Sequence, residues 1–252
     1  MIWLKLIWRD ARFNAVLWFL SLIGIAVGVG GWVGMEAATS QAEQSFNQSI
    51  RGTFGEATHV VEHRTDRLKE EVYFRLARRF GMPMTPMIEE FSRRRVPGQT
   101  ETAAGDYTRI LGIDPLSYGQ LQSSFRTPEF PFAAFLGGDP VAVLSPDLKS
   151  TYDRGDTLVL AVEDDTHSLT VGGFLADRSM NGTVFTDLGW LQHKVLSTDR
   201  LSRILIKQDG PLPEGVSAQL GAETLLMPTG SRTRSVRSML GAFQWNLRAL
   251  SF

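Results

Sequence analysis

The chain has 252 residues, enough for one domain of about 200 residues plus an anchor, and for a real hydrophobic core. Lys and Arg total 26 against 27 Asp and Glu, and the net charge of -1 excludes an overall electrostatic draw toward nucleic acid. The sequence holds no cysteine, which excludes a disulfide framework, a thiolate metal site and a cysteine nucleophile.

Residues 1–12 alternate Ile2, Trp3, Leu6 and Ile7 with a cationic stripe at Lys5, Arg9 and Arg12, the pattern of a short segment lying in a membrane interface or of the frayed start of a spanning helix. From Phe13 to Met35 no charge occurs, and these roughly 23 residues make about 35 Å of helix, sufficient to cross a bilayer core. The run is too long for the apolar segment of a cleaved signal peptide, and it lacks the polar face of a core helix. Residues 13–35 therefore read as a transmembrane helix. Lys5, Arg9 and Arg12 precede it and Glu36 and Glu43 follow, so the positive-inside bias puts the N-terminus in the cytoplasm and the rest outside. Trp3, Trp8, Trp18 and Trp32 fit interface anchoring against the surrounding lipid.

No proline interrupts residues 36–52, which are rich in Ala, Gln, Glu and Ser, so the helix is expected to continue as a stalk. Gly24, Gly28, Gly31, Ala38, Ala42, Ser45 and Ser49 follow one another at spacings of four and three, with one skipped step at Met35. They form a small-residue face that lets a second helix approach closely.

Residues 53–230 read as a mixed α+β domain. Strands are expected at Ala57–Glu62, Tyr107–Ile113, Val141–Leu144, Thr157–Val162, Leu169–Leu175, Thr183–Thr186 and Ile204–Lys207. A helix is expected from Asp66 to Phe80, capped by Asp66, with Glu70 and Glu71 early, Arg75, Arg78 and Arg79 late, and Gly81 and Pro83 as stops. Its buried stripe is Leu68, Val72, Leu76 and Phe80. The polar stretch from Arg93 to Asp106, with Pro97-Gly98 and Gly105, reads as a hairpin or mobile loop.

Residues 231–252 read as a return stalk helix leading toward a further spanning helix, the alternative being an amphipathic helix from Val236 to Phe252 that covers the domain core. Val236, Leu240, Phe243, Leu247 and Leu250 repeat at four and three and supply large knobs for the small face of the first stalk. Arg232, Arg234, Arg237 and Arg248 lie on the extracytoplasmic side and run against the charge bias.

The chain shows neither a Gly-Lys-Ser/Thr phosphate loop nor a Gly-x-Ser-x-Gly elbow. His59-Val60-Val61-Glu62-His63 has the spacing of an inverted zinc-protease motif, but that motif needs a helix, and Thr58, Val60 and Val61 favour a strand whose ends lie about 13 Å apart. Glu163-Asp164-Asp165 reads as a hairpin turn rather than a calcium loop, and Arg93-Arg94-Arg95 as a solvated strand end. No catalytic residue, resident cofactor or metal ligand is assigned.

Five stretches carry a family resemblance: Arg9-Asp10-Ala11-Arg12, Ser49-Ile50-Arg51-Gly52, Ile110-Leu111-Gly112-Ile113-Asp114-Pro115, Val184-Phe185-Thr186-Asp187-Leu188 with Gln192, and Ala242 through Ser251. In order and spacing the chain resembles the FtsX/MacB-like ABC transporter permeases of the type VII, mechanotransmission class. The resemblance implies a MacB-like periplasmic core in a bacterial inner-membrane protein, with further spanning helices beyond Phe252. It also implies a non-catalytic subunit that works with a cytoplasmic ABC ATPase, where ATP would bind, and with a second permease copy or a periplasmic adaptor. Its stalks would turn ATP hydrolysis into export or extraction of a lipid, lipoprotein, peptide or drug. Two other readings compete: an extracytoplasmic sensor domain of a signalling receptor, and an anchored hydrolase built on His59, Glu62 and His63.

Overall fold

The structure is a computed structural model and describes Trp8 and residues 12–95, 106–127, 130–136, 139–162 and 165–231. Residues from Gln48 to Ser238 form one compact unit, and the chain up to Asn47 belongs to another. The N-terminal unit is dominated by α1 (Ala15–Phe54), an unbroken helix in which Ala15–Ala42 is long and apolar enough to cross a membrane. Its apolar side chains are exposed all round, Leu17, Phe19, Ile25 and Val27 among them, as befits a helix whose solvent is lipid. Arg12 stacks over the Trp8 ring at 5.7 Å.

The other unit is built on β1 (His59–His63), β2 (Leu68–Lys69), α2 (Glu70–Phe80), β3 (Met84–Arg95), β4 (Asp106–Ile113), α3 (Pro115–Leu121), α4 (Phe132–Leu136), β5 (Val141–Leu144), β6 (Thr157–Val162), β7 (Asp165–Phe174), β8 (Thr183–Asp187), β9 (Arg200–Leu201), β10 (Arg203–Ile206) and β11 (Thr224–Pro228). Nine strands join in the order β11-β1-β10-β3-β4-β8-β5-β7-β6. The end of β3 also pairs with β6, with Arg93 opposite Ala161, so β3, β4, β8, β5, β7 and β6 close into a barrel. β10, β1 and β11 extend from the first half of β3 as a flap. Pairings are antiparallel except β4–β8 and β5–β7. The fold is α+β, as the sequence implies.

Alternate residues of each strand enter two cores. Val61, Ile204, Ile88, Ile110, Val184, Leu144, Val171 and Leu160 make one, which draws on every barrel strand and continues under α2 through Leu68 and Leu76. Val60, Leu205, Met87, Leu111, Phe185 and Val143 make the other, covered by Phe54, Tyr118, Leu121, Phe125 and Phe130. Burial on both faces is why these strands read as continuous apolar runs.

One expectation needs correction, and two strands escaped the sequence reading. The helix placed at Asp66 starts four residues later: Leu68 and Lys69 pair with Leu201 and Arg200 as strand, the N-cap is Lys69, and the Asp66 carboxylate is engaged by Arg200 instead. Leu68 nevertheless packs in the same core as Leu76, and Gly81 ends the helix at φ 60° as read from sequence. The long strand β3 was not anticipated, because Pro86 and the charges at Glu89, Glu90, Arg93 and Arg94 hide its period; β11 was missed as well. The stretch from Arg93 to Asp106 is the turning end of the β3–β4 hairpin, with residues 96–105 outside the described ones. Val162 pairs with Asp165, so the acidic triplet lies at the β6–β7 connection, with residues 163–164 outside the described ones.

Candidate functional site

The features of interest gather where α1 ends. A helix leaves its last carbonyls without intrahelical donors, and at a buried terminus these must be met. The Tyr118 hydroxyl donates to the Thr53 carbonyl at 2.8 Å, and the Gln122 amide donates to the Gly52 carbonyl at 3.0 Å. Both donors come from α3 and the residue after it. α3 itself is fixed by Asp114, whose carboxylate accepts from the N–H groups of Leu116 and Ser117, and by Pro115 in its first turn. Burial pushes the Tyr118 phenol above its ordinary pKa, so it stays a donor.

Two glycines make the docking close enough. A Cβ on Gly52 would lie 2.6 Å from the Ser179 hydroxyl, and one on Gly55 would fall on the Leu121 carbonyl oxygen. Gly55 also has φ +55°, the left-handed turn that stops the helix and sends the chain into β1. There the Glu56 N–H donates to Leu121, and the Glu56 carboxylate, paired with Lys207, is held below its usual pKa by that ammonium.

The outgoing chain leaves beside the incoming one. β11 lies antiparallel to β1 with Pro228 opposite His59. Thr229 then donates its N–H to Thr58 at 2.9 Å and its hydroxyl to the Ala57 carbonyl at 2.6 Å. Residues 229–231 are helical where the described segment ends.

Below this joint runs a row of half-hidden ions on the second core's face. The Arg203 guanidinium lies under the Phe54 ring at 5.5 Å. It pairs with Glu62 at 3.3 Å and with Glu89; Glu89 meets Arg109 at 3.6 Å, and Arg109 donates to the Thr183 hydroxyl at 3.1 Å.

Gly24, Gly28 and Gly31 lie along the apolar half of α1, with nothing within 4 Å of a Cβ placed on them. Ala38, Ala42 and Ser45 continue the same helix with exposed side chains, while the Ser49 side chain is outside the described ones. Val236, Leu240, Phe243, Leu247 and Leu250 lie outside the described residues, as do Lys5 and Arg9. The motif stretches from Ser49 to Gln192 lie close together: Gly52 meets the residues of α3, Ile110–Ile113 lie in β4 with Asp114-Pro115 starting α3, Val184–Asp187 lie in β8 alongside β4, and Gln192 donates to Glu70; Arg9 to Ala11 and Ala242 to Ser251 lie outside the described residues. A Cβ on Gly112 would sit 2.7 Å from the end of the Leu191 side chain, which packs closely over β4 here. His59 and His63 stand at opposite ends of β1, one against Thr58 at 3.0 Å and the other against Glu223 at 3.3 Å, and do not converge. Sequence reasoning missed Gly55, Tyr118, Gln122, Thr229 and Arg203; only Gly55, as a helix stop, left a local signal.

The model of the MacB-like periplasmic core domain matches residues 18–223. An ABC transporter permease protein of Mycobacterium tuberculosis is 25% identical over 97% of this chain, which spans 29% of that relative's length. The periplasmic region of MacB from Actinobacillus actinomycetemcomitans superposes with a TM-score of 0.52 at 14% identity, over 74% of this chain and 95% of the other. The extracellular domain of the noncanonic ABC-type transporter YknZ from Gram-positive bacteria gives 0.50 at 12% identity, over 68% and 99%. With its apolar N-terminal helix, the protein is membrane-anchored and carries an extracytoplasmic domain. The chain belongs to the MacB-like periplasmic core domain family.

Proposed function

We propose that this chain is the leading part of an ABC transporter permease that works mechanically. ATP hydrolysis on a separate cytoplasmic subunit displaces two stalk helices, and these move the extracytoplasmic domain to drive export or extraction of a lipid, lipoprotein, peptide or drug. The family and the name of the mycobacterial relative support the permease assignment. The observation that carries the mechanical part is the pair of hydrogen bonds from Thr229 to Ala57 and Thr58, which tie the outgoing chain to the segment directly after the incoming helix.

That tie also sets a register. Ala42 lies 12 residues before the helix end at Phe54, and Phe243 lies 14 residues after Thr229. At 1.5 Å per helical residue these are depths of about 18 and 21 Å from the joint. Continued as a helix, the outgoing chain would carry the large side chains from Val236 to Leu250 over about 10–32 Å from the joint, alongside the small ones at Ala38, Ala42, Ser45 and Ser49, which span about 8–24 Å. In the complete transporter, Gly28→Leu or Ala42→Trp holds the stalks apart and uncouples ATP hydrolysis from transport, while ATPase activity itself continues. Transport at the native rate in both variants rejects the mechanical reading.

A further inference from the structure

The ion row under the stalk end is an unusual thing to build. Arg203, Glu62 and Glu89 are 14–15% exposed, and buried ion groups of this kind are commonly matched or exceeded in stability by apolar side chains of equal size. The row crosses five neighbouring strands, β1, β10, β3, β4 and β8, and it starts under the last residue of the stalk helix. At its far end Arg109 stands directly opposite Phe91, which is 66% exposed, and next on the same face comes Tyr107, 73% exposed and stacked under Arg93 at 5.9 Å. The second core ends there, and the sheet face continues as open surface.

We infer that Arg203 is a positioning residue that reports the seating of the stalk-helix end to the open face bearing Phe91 and Tyr107. This rests on the mechanical reading above. Phe54 covers the guanidinium and keeps water from it. When the helix end shifts, water reaches Arg203, the effective dielectric rises, and its pairs with Glu62 and Glu89 weaken. Glu89 is shared with Arg109, so its carboxylate turns from the first guanidinium toward the second and draws Arg109 to a new position beside Phe91. The stalk then changes the shape of the exposed aromatic face without any movement of the backbone core.

The chain's four tyrosines allow a direct test with 3-fluorotyrosine and fluorine NMR on the full chain in nanodiscs. Tyr118 reports the helix end, Tyr107 the open face and Tyr152, buried against Arg94, the integrity of the barrel. Phe54→Leu is expected to move the Tyr118 and Tyr107 resonances and leave Tyr152 in place. In an Arg203→Lys background, which keeps the charge but loses the planar stack, the same substitution moves Tyr118 only; Glu89→Gln gives the same result by cutting the next link. A Tyr107 resonance that ignores Phe54→Leu, or that answers it equally in all three backgrounds, overturns the inference. The readout involves no transport, so its failure leaves stalk coupling standing. Conversely, stalk variants that transport normally remove that coupling without touching the Tyr107 response.

Discussion

Replacing Gly55 with valine is expected to lower the stability of the extracytoplasmic domain by about 3 kcal/mol, a drop of roughly 6–12 °C in Tm for a domain of this size. Two causes add. The left-handed backbone at φ +55° costs an L side chain about 1–2 kcal/mol. The new Cβ then meets the Leu121 carbonyl oxygen, a backbone atom that can yield only by displacing α3, and overpacking of that kind costs about 1–3 kcal/mol. Gly81 separates the two: it has φ +60° but open space around it, so Gly81→Ala carries the backbone cost alone, about 1 kcal/mol. Thermal unfolding of the two variants side by side measures the steric share. Equal losses would mean that α3 does not hold the helix end.

The second large effect belongs to Arg203. Arg203→Met removes the cation shared by Glu62 and Glu89 and leaves two mostly buried carboxylates without it, at a cost of about 3–5 kcal/mol. Arg203→Lys keeps a charge within reach of both and is expected to lose less than half of that, through the planar fork and the stack on Phe54. Urea unfolding followed by circular dichroism decides the order. If methionine were as stable as lysine, the row would be a solvated surface feature, and its proposed link to the stalk would have no electrostatic basis.

The parts of this fold that were legible from sequence are those where local chemistry and tertiary burial agree. Val141–Leu144 and Thr157–Val162 were read to the residue because a short β-rich run bounded by turn residues has few other uses. The apolar run from Phe13 stood out for a different reason, its length and lack of charge, and in the structure Ala15–Ala42 is the helical stretch long and apolar enough to cross a membrane. β3 was not legible: Glu89 and Glu90 look like solvent-facing residues until Arg203, Arg109 and Arg67 arrive from strands and turns distant in sequence. Asp66 looked like a helix cap for the converse reason, because its competitor Arg200 lies 134 positions away.

The joint shows the same division. Motif resemblance singled out Gly52 and Ile110–Pro115 separately, and the structure gives the reason they travel together, which is that one provides the helix end and the other the helix that caps it. Tyr118 and Gln122 carry no signal of their own in the sequence, since a tyrosine and a glutamine near a short helix are ordinary until a carbonyl from Gly52 or Thr53 is brought against them. Thr229 is in the same position: its partners, Ala57 and Thr58, are set by the β1–β11 pairing, and β11 was itself unrecognised.

The absence of native cysteines makes the central claim easy to test. Cysteines placed together at Ala42 and Phe243, in the membrane-embedded full chain under mild oxidation, should form an intramolecular disulfide, while a pair at Ala42 and Leu250, about two helical turns further along, should not. Failure of the first pair to close, with both variants folded and the thiols reactive, would mean the two ends of the domain do not descend together.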